Sequence, residues 1–328
     1  MSKHTIGIWM YQNGGGDAIQ RKLVEQLRER DINAITGLDL AQAMAHNGSI
    51  MCNGVVMEDL DLFYTYNAGQ QTEYQVYLYE MLDRIIPIIN NYQAFALTED
   101  KFKTTHLLQR AGIYTPDYCL CHHNNLEQLR ASMAEWGGRA VYKPTNGWGG
   151  TGIVRLENEN ALNMLQPFMN QMTAQHFFIE RYINNDHTDY RIDVVDGEFV
   201  GCYGRKAPKH DWKTNISSGG SVILREPNDE VVALALKAAK ITGLEIAGVD
   251  LIYDQDREEY VVLEINGIPA FATPDQEEFG IDFNDRKIAR IVDLIERKVT
   301  VKHLVGTPEM TGLELTGLEQ TGQAENAI

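Results

Sequence analysis

The chain has 328 residues, of which 44% are hydrophobic and 23% charged, a balance typical of globular proteins that excludes disorder over the whole length. Its 29 Lys and Arg residues against 46 Asp and Glu residues give a net charge of −17, which disfavours nucleic acid and anionic membranes as partners because the long-range field repels phosphate. An anionic ligand therefore needs a local basic patch, and the length suits two or three domains that each bury a core.

The cysteine content and the hydropathy pattern predict a cytoplasmic protein. Four cysteines are too few for a disulfide scaffold, and no leader with a small-residue cleavage site opens the chain. No apolar run approaches the roughly 20 residues of a membrane helix. The segment CxCHH at 119–123 resembles a metal cluster, but no second ligand pair follows at zinc-finger spacing, so we expect no zinc there.

The sequence pattern over residues 1–95 predicts one small α/β domain. An apolar strand over 4–11 leads into the glycine-rich turn 13–17, and a helix follows over 17–30. The turn lacks GxGxxG spacing, which favours a plain flexible turn over an anion site. Five tyrosines later in the domain could stack on a ring-bearing substrate, but half-buried packing is the commoner use of such a run. They are Tyr64, Tyr66, Tyr74, Tyr77 and Tyr79.

The sequence pattern over residues 96–187 predicts a second unit, which begins with a helix. Thr98 is its expected N-cap, Glu99 and Asp100 lie in the first turn, and Gly112 ends it. After the helix the pattern changes to strands and hairpins. The strands are expected at 139–144, 153–156 and 177–183, with a glycine-rich loop at 146–152.

The sequence pattern over residues 188–302 predicts a third unit of hairpins and helices. The pair Asp196 and Gly197 suits a type I′ turn between two strands. The clearest helix of the chain follows, capped by Asn228 and ended by Gly243.

The composition of the last residues, 303–328, predicts a flexible acidic tail. From Glu309 onwards every charged residue is Glu, and such a composition cannot cover a hydrophobic core. Nothing in the sequence supports a role for this tail in partner binding.

Three oxygen-bearing side chains converge in the segment 247–266. A turn centred on Arg257 places Asp250 opposite Glu264, and Asn266 shares one strand face with Glu264. Acidic groups among apolar residues need a cation, and hard oxygen ligands suit Mg²⁺ or Mn²⁺. The alternative on this geometry alone is a hairpin whose acids point to solvent.

Two further segments suit an anionic ligand. Lys143 ends a strand ahead of the glycine-dense loop, whose N–H groups can approach a phosphate closely, although a plain glycine-rich hairpin is the alternative. It is not a Walker A motif, because the lysine precedes the glycines. The segment 205–215 concentrates four cations in an acidic chain, which favours an anion site over a solvated loop. They are Arg205, Lys206, Lys209 and Lys213.

These motifs in this order resemble the ATP-grasp superfamily and, within it, the RimK-type ligases that add glutamate to an acceptor. The matching segments are DK at 100–101, the lysine and glycine-rich loop at 143–152, FIERYI at 178–183, DYRIDVVDGEFV at 189–200, the basic segment 205–220, AGVDL at 247–251 and LEIN at 263–266. The resemblance covers about residues 60–300. It implies an α/β ATP-grasp fold, in which a pre-ATP-grasp α/β domain (1–95) precedes two α+β lobes (96–187 and 188–302) that clamp ATP.

The resemblance also implies a role for each matching residue. Arg205 would be the catalytic residue that stabilises the transferring phosphoryl group. ATP would be bound by Lys101, Lys143, Gly149, Gly150, Glu180, Arg181, Tyr182, Asp189, Lys213, Thr214 and Asn215. Two Mg²⁺ or Mn²⁺ ions would be held by Asp250, Glu264 and Asn266.

The implied activity is an ATP- and Mg²⁺-dependent ligation of a carboxylate to an amine through an acyl phosphate, adding glutamate or a similar amino acid to a small-molecule or peptide acceptor. The chain departs from the RimK-type pattern at 267–270, where GIPA replaces Ser-Pro-Gly, and at Lys213 and Ser218. The GIP continuation is similar to relatives that glutamylate pterin cofactors of the tetrahydromethanopterin type. Homo-oligomers are common in the family.

Two alternative functions stay open on the sequence. One is a small-molecule phosphotransferase on the same fold, which would need no amine. The other is a nucleotide-binding protein without turnover, which is disfavoured because all three expected metal positions carry oxygen ligands.

Overall fold

The N-terminal part of the chain forms a parallel sheet with helices beside it. The structure, a computed structural model, describes residues 3–67, 71–147, 149–169 and 176–305. The first elements are β1 (His4–Met10), α1 (Gly16–Glu29), β2 (Ile32–Thr36), β3 (Met44–His46), β4 (Ser49–Cys52), β5 (Val55–Val56), β6 (Leu62–Tyr66), α2 (Glu73–Asp83), β7 (Ile88–Ile89) and α3 (Tyr92–Thr98). The parallel sheet has the order β2-β1-β6-β7, and β3, β4 and β5 form a small antiparallel sheet. Helix α1 buries Ile19, Leu23 and Leu27, four residues apart, as the apolar spacing predicts.

The predicted helix start at Thr98 is wrong. Thr98 ends α3, and its hydroxyl donates to the Ala94 carbonyl at 3.0 Å. The next helix, α4 (Lys101–Arg110), has Asp100 as its N-cap, whose carboxylate accepts from the Lys103 N–H at 3.0 Å. Because Asn91 caps α3 in the same way, two short helices replace the single predicted one.

The second sheet is antiparallel and has its own hydrophobic core. Its elements are β8 (Tyr118–His122), α5 (Leu126–Glu135), β9 (Ala140–Tyr142), β10 (Val154–Leu156), α6 (Asn160–Met169) and β11 (His176–Arg181), with the strand order β10-β9-β11-β8. Leu129, Met133 and Leu162 of the helices pack on Phe177 and Ile179 of β11. The glycine-rich loop connects β9 to β10, as predicted.

The third sheet is also antiparallel and carries the longest strands. Its elements are β12 (Thr188–Val195), β13 (Glu198–Lys206), β14 (Ser221–Ile223), α7 (Asp229–Thr242), β15 (Ile246–Asp254), β16 (Glu259–Asn266), α8 (Pro274–Phe279) and α9 (Asn284–Val305), with the strand order β14-β13-β12-β15-β16. Asp196 and Gly197 have φ angles of +52° and +76°, which confirms the type I′ turn. Helix α7 has the predicted caps, Asn228 and Gly243.

Helix α9 joins the first sheet to the third. Ile288 and Ile291 of α9 are buried in one core with Ile6 and Ile8 of β1 and with Val195 of β12. The first and third sheets therefore share this core, in addition to a separate core that each forms with other elements. Residues 306–328, most of the predicted acidic tail, lie outside the described residues. Within the described residues, no helix combines the length and the apolar character needed to cross a bilayer.

Candidate active site

Charged residues face one another across four neighbouring strands of the third sheet. Asp189 on β12 stands opposite Arg205 on β13, and Arg191, two residues after Asp189, stands opposite Asp250 on β15. Asp250 in turn stands opposite Glu264 on β16. Because alternate residues of a strand point to the same face, this register collects five charged side chains on one face of the sheet.

The predicted pairing of Asp250 with Glu264 is confirmed, although the turn differs from the expected one. Asp254 stands opposite Glu259, so the turn is centred half a residue before Arg257, and a β-bulge at Leu263 supplies the residue that restores the predicted pair. The bulge also brings the sequence neighbours Leu263 and Glu264 to the same cavity.

That cavity, hereafter the first cavity, lies between the second and third sheets. Its apolar wall consists of Pro116, Val141, Ile153, Ile183, Trp212, Ile252 and Leu263. Its polar wall contains Lys101, Lys143, Gly150, Glu180, Arg181, Tyr182, Asp189, Arg205, Lys213, Thr214, Asn215, Asp250 and Glu264. An apolar slot that ends in a few converging polar and charged groups is typical of a small-molecule site, and its cations suit phosphate. The remaining predicted residues, Gly149 and Asn266, line the cavity next to it.

The cationic end of the first cavity is centred on Arg205. Its Nη2 lies 2.7 Å from Asp189 Oδ2 and 2.8 Å from Asp250 Oδ2, and the side chain is 8% exposed. Burial by itself lowers the pKa of Arg205, but Asp250 and Asp189 together hold that pKa well above its ordinary value. Arg205 is therefore a fixed cation, which is the group that phosphoryl transfer requires where charge develops.

Two lysines reach the same end from different parts of the chain. Lys143 Nζ lies 2.5 Å from Glu180 Oε2, and Lys101 Nζ lies 2.9 Å from Glu264 Oε1. Burial raises the pKa of Glu180, and the ion pair with Lys143 lowers it only in part. The second oxygen of Glu180 has no hydrogen-bond partner in the described part of the protein. Both lysines are thus held at the cavity by carboxylates.

Arg181 lines the cavity without pointing a free charge into it. Its guanidinium pairs with buried Asp254, and its Nε lies 3.3 Å from Asp117 Oδ2. Asp117 also pairs with Arg257 in the turn between β15 and β16. This network connects the second sheet to the third.

The glycine-rich loop rests on the basic segment. Gly150 has a φ angle of +74°, and a Cβ atom there would lie 3.0 Å from Asn215 Oδ1. The Ser217 hydroxyl donates to the Gly149 carbonyl at 2.8 Å. Glycine is needed at 150 both for the backbone angle and for this close approach. The contact brings a loop of the second sheet over the site in the third.

Two buried polar atoms beside Glu264 lack hydrogen-bond partners among the described residues. They are Asp250 Oδ1 and Asn266 Nδ2. Arg191 Nε lies 2.7 Å from Asp250 Oδ1 but without hydrogen-bond geometry. Since the two ends of an amide are nearly alike in shape, Asn266 can equally present its oxygen. Two carboxylates and one amide oxygen then form a donor set that fits Mg²⁺.

Asn266 is needed for that donor set. In residues 3–67, 71–147, 149–169 and 176–305, no group of three or more His, Cys, Asp or Glu could hold a metal ion. This search includes the CxCHH segment at 119–123.

A second cavity, of about 350 Å³, adjoins the first at Arg205, Asn215, Asp250 and Glu264. Its other walls come from the N-terminal part of the chain, from β12 and β13, and from the segment after β16. They include Asn67, Phe95, Glu99, Arg191, Tyr203, Gly267, Ile268 and Ala270. A third and wider cavity, of about 720 Å³, meets the second at Phe95, Glu99, Gly149 and Ser217. The three cavities form a continuous series along the glycine-rich loop.

Several residues of the second cavity were not predicted from the sequence. Arg191 carries a detectable signal, because it alternates with Asp189 and Asp193 in an otherwise apolar strand. Tyr203 and Glu99 carry no such signal. Conversely, Lys206 and Lys209 of the basic segment are exposed and line neither of these cavities, so only two of its four cations are at the site.

The tyrosine run serves packing in its buried members. Tyr64, Tyr66 and Tyr79 are at most 1% exposed, whereas Tyr74 and Tyr77 are exposed. None of the five lines any of the three cavities. Stacking of a substrate ring on them is therefore not supported.

The match to a known domain decides the family. A model of the RimK-like ATP-grasp domain matches residues 98–292, which is more than half of the chain. The chain belongs to this family. As a RimK-like ATP-grasp protein it is a ligase, and the predicted family resemblance and enzyme class are confirmed.

Relatives of this RimK-like protein carry the names of ligases. The tetrahydromethanopterin:alpha-L-glutamate ligase of Methanocaldococcus jannaschii is 29% identical over 262 residues, which cover 78% of this chain and 88% of that protein. An alpha-aminoadipate–LysW ligase of Saccharolobus solfataricus is 30% identical over 191 residues, which cover 56% of this chain and 67% of that protein. These names favour a ligase over the phosphotransferase alternative.

Solved structures show the same fold. A RiPP-associated ATP-grasp ligase of Chryseobacterium gregarium, in complex with ADP and a leader and core peptide, has a TM-score of 0.66 at 16% identity and covers 90% of this chain and 97% of its own. The D-alanine–D-alanine ligase of Bacillus anthracis complexed with ATP has a TM-score of 0.61 at 18% identity and covers 92% and 100%. The predicted ATP-grasp fold is confirmed.

Proposed function

We propose that this RimK-like ligase adds glutamate or a similar amino acid to a carboxylate-bearing acceptor, with ATP in the first cavity and the acceptor in the second. The observation that supports this best is that the two cavities share Arg205, Asp250 and Glu264. A γ-phosphate at this junction is in reach of a nucleophile from the second cavity, as in-line phosphoryl transfer requires.

The residue roles follow from this placement. Arg205 stabilises the transferring phosphoryl group, and Asp250, Glu264 and Asn266 would hold Mg²⁺. When bound, Mg²⁺ neutralises charge on the phosphate oxygens. ATP contacts come from Lys101, Lys143, Gly149, Gly150, Glu180, Arg181, Tyr182, Asp189, Lys213, Thr214 and Asn215. The proposed domains are 1–95, 96–187 and 188–302.

The reaction has two steps, and neither needs a side-chain nucleophile. In the first, an oxygen of the acceptor carboxylate attacks the γ-phosphorus, the bond to the β-phosphate breaks and ADP leaves. In the second, the ammonium group loses a proton to solvent, the resulting amine nitrogen attacks the acyl carbon, and the carbon–oxygen bond to phosphate breaks. The departing phosphate takes up the second proton of the nitrogen as the amide forms. One ADP and one phosphate are released for each amide. The chain's contribution is to position the groups and to neutralise charge.

A pterin cofactor of the tetrahydromethanopterin type is the acceptor we propose first. The tetrahydromethanopterin:alpha-L-glutamate ligase aligns with 78% of the chain. The GIPA segment at 267–270, which supports the same acceptor, lines the second cavity with Gly267, Ile268 and Ala270. The wide third cavity leaves room for the body of an acceptor of that size.

The test is release of ADP and phosphate from ATP and Mg²⁺ with each of the twenty amino acids, against carboxylate-bearing acceptors that include pterin cofactors and peptides. Mass spectrometry identifies the products. We expect an acceptor heavier by one amino acid minus water, with one ADP per amide. A phosphorylated product formed without any amine would contradict the ligase and support the phosphotransferase. Tight ATP binding with no product would point to a protein without turnover.

A further inference from the structure

The charged residues that line the second cavity form ion pairs with one another or with Lys101 of the first cavity, with a single exception among the described residues. Arg191 and Arg205 both contact Asp250, at 2.7 and 2.8 Å, and Glu264 contacts Lys101 at 2.9 Å. These ion pairs hold the two arginines and the two carboxylates at the end of the second cavity that adjoins the first, where we place the γ-phosphate.

Glu99 is the exception. Its side chain makes no hydrogen bond and no ion pair in the part of the chain that the structure describes, although Lys101 lies near enough to influence it. Its backbone N–H donates to the Phe95 carbonyl at 3.0 Å, which places it immediately after α3. From there the carboxylate lines both the second and the third cavity. It therefore stands where the two cavities meet.

The surroundings of Glu99 leave its charge only partly compensated. Although the side chain of Glu99 is exposed, partial desolvation by the surrounding protein raises its pKa, while Lys101 lowers that pKa and Glu264 raises it. Glu99 is solvent-exposed, lines both cavities and has no ion-pair partner among the described residues, so its carboxylate is available to a cationic ligand. In the proposed reaction the one cationic substrate group is the ammonium of the incoming amino acid, since the acceptor reacts through a carboxylate and ATP is an anion.

We propose that Glu99 binds the ammonium group of the incoming amino acid at the junction of the second and third cavities. This inference rests on the proposed function and assigns its amine subsite. Arg191 and Arg205 repel an ammonium group, whereas Glu99 attracts it toward the third cavity, which neither arginine lines. The acceptor carboxylate then faces the cations and the amine approaches from the side of Glu99.

The test separates binding of the amine from activation of the acceptor. Hydroxylamine is uncharged at neutral pH and traps an acyl phosphate as a hydroxamate, so it needs no ammonium subsite. Glu99→Gln keeps the size of the side chain and removes its charge. We expect the KM for the amino acid to rise by about ten- to hundredfold, while the KM for ATP and the rate of hydroxamate formation stay within about twofold of the wild type.

Two variants serve as controls. Glu99→Asp retains the charge and should recover part of the affinity for the amino acid. Glu278→Gln removes an exposed carboxylate on α8 and should leave every parameter unchanged. Circular dichroism melts of all variants check that the fold is intact.

Three outcomes would contradict the proposal. An unchanged KM for the amino acid in Glu99→Gln would overturn it and leave the ligase reaction standing. Loss of hydroxamate together with amide would show that Glu99 serves ATP or the acceptor instead of the amine. A wild type that forms neither product from any acceptor would overturn the proposed function itself, and this inference with it.

Discussion

The first and second cavities share Arg205 and Asp250 but are assembled in different ways. The first is built by residues between Lys101 and Glu264, on strands of the second and third sheets and the loops between them. The second adds Asn67 and Phe95 from the N-terminal part and the segment that follows Asn266. The proposed nucleotide side is thus encoded in motifs within one stretch, whereas the proposed acceptor side combines distant parts of the chain.

The segment 267–272 shows how the acceptor side is held. It has no regular structure, and side chains from elsewhere satisfy its backbone groups. Lys287 Nζ donates to the Pro269 carbonyl at 2.8 Å, and Asn90 Nδ2 donates to the Gly267 carbonyl at 2.7 Å. Tyr66 also donates to Pro269, and Asn284 bonds both backbone groups of Ala272. Buried backbone groups need such partners, so these contacts determine the shape of the segment.

The comparison predicts that damage at the shared junction affects both sides. Arg205→Ala removes the cation and leaves Asp189 and Asp250 buried without it. We expect turnover to fall by about 10³-fold or more, because the positive charge at the transferring phosphoryl group is lost. We also expect the free energy of unfolding to fall by about 3–5 kcal/mol.

ADP release and urea unfolding measure these two effects of Arg205→Ala. Arg286→Ala, at an exposed position on α9, is the matched control and should behave like the wild type. ADP release at the wild-type rate in Arg205→Ala would remove Arg205 from its proposed role.

A substitution on α9 should affect the acceptor side alone. Lys287 is fully buried, and its Nζ lies 2.7 Å from Asp193 Oδ2. Lys287→Met removes a donor from the Pro269 and Ala270 carbonyls, leaves Tyr66 as the remaining side-chain donor to Pro269, and leaves Asp193 without its lysine. We expect the KM for the acceptor to rise about tenfold, the KM for ATP to stay near its wild-type value, and the free energy of unfolding to fall by about 3 kcal/mol.

The double variant Lys287→Met, Asp193→Asn separates position from stability. It removes the unpaired charge, so stability should recover in part while the KM for the acceptor stays high. Recovery of the acceptor KM together with stability would mean that Lys287 acts through stability alone. An equal rise in the KM for ATP would show that the two cavities are not separable at this helix.

The smallest expected effect concerns the first sheet, on which the acceptor side rests. Burial raises the pKa of Tyr64 and of Tyr66 well above the ordinary value near 10. Above that pH the unfolded chain loses these protons and the folded chain keeps them. The unfolded state then binds fewer protons, so stability falls as pH rises, by about 1.4 kcal/mol per pH unit for each such tyrosine.

Tyr64→Phe tests this pH dependence. The Tyr64 hydroxyl is buried and has no partner among the described residues, so its removal should be neutral or stabilising by up to about 1 kcal/mol at pH 7. Above pH 10 the free energy of unfolding of the variant should fall less steeply with pH than that of the wild type. The difference in slope should be about 1.4 kcal/mol per pH unit, which is the contribution of one titrating tyrosine. Urea unfolding at several pH values measures both slopes, and equal slopes would contradict a buried, protonated Tyr64.

Local patterns explain why much of the site could be predicted. The caps of α7 and the type I′ turn at Asp196 depend on residues within a few positions of one another. The pairing of Asp250 with Glu264 follows from a single hairpin, and the bulge at Leu263 compensated for the misplaced turn. The prediction of Thr98 as the N-cap was wrong because the side chains of Thr98 and Asp100 can both accept a hydrogen bond from a helix N-terminus. Only the backbone path shows that the helix begins after Asp100.

The sequence by itself determined the family, the ATP-grasp fold and the charged residues of the first cavity, because short motifs in a specific order carry that information. The tertiary structure alone decided which residues surround the second cavity. Phe95, Arg191 and the segment 267–270 are far apart in the chain, and α9, which packs against the first and third sheets together, holds that segment through Lys287. Burial of that shared apolar core, which no local pattern reports, is the physical reason for their proximity.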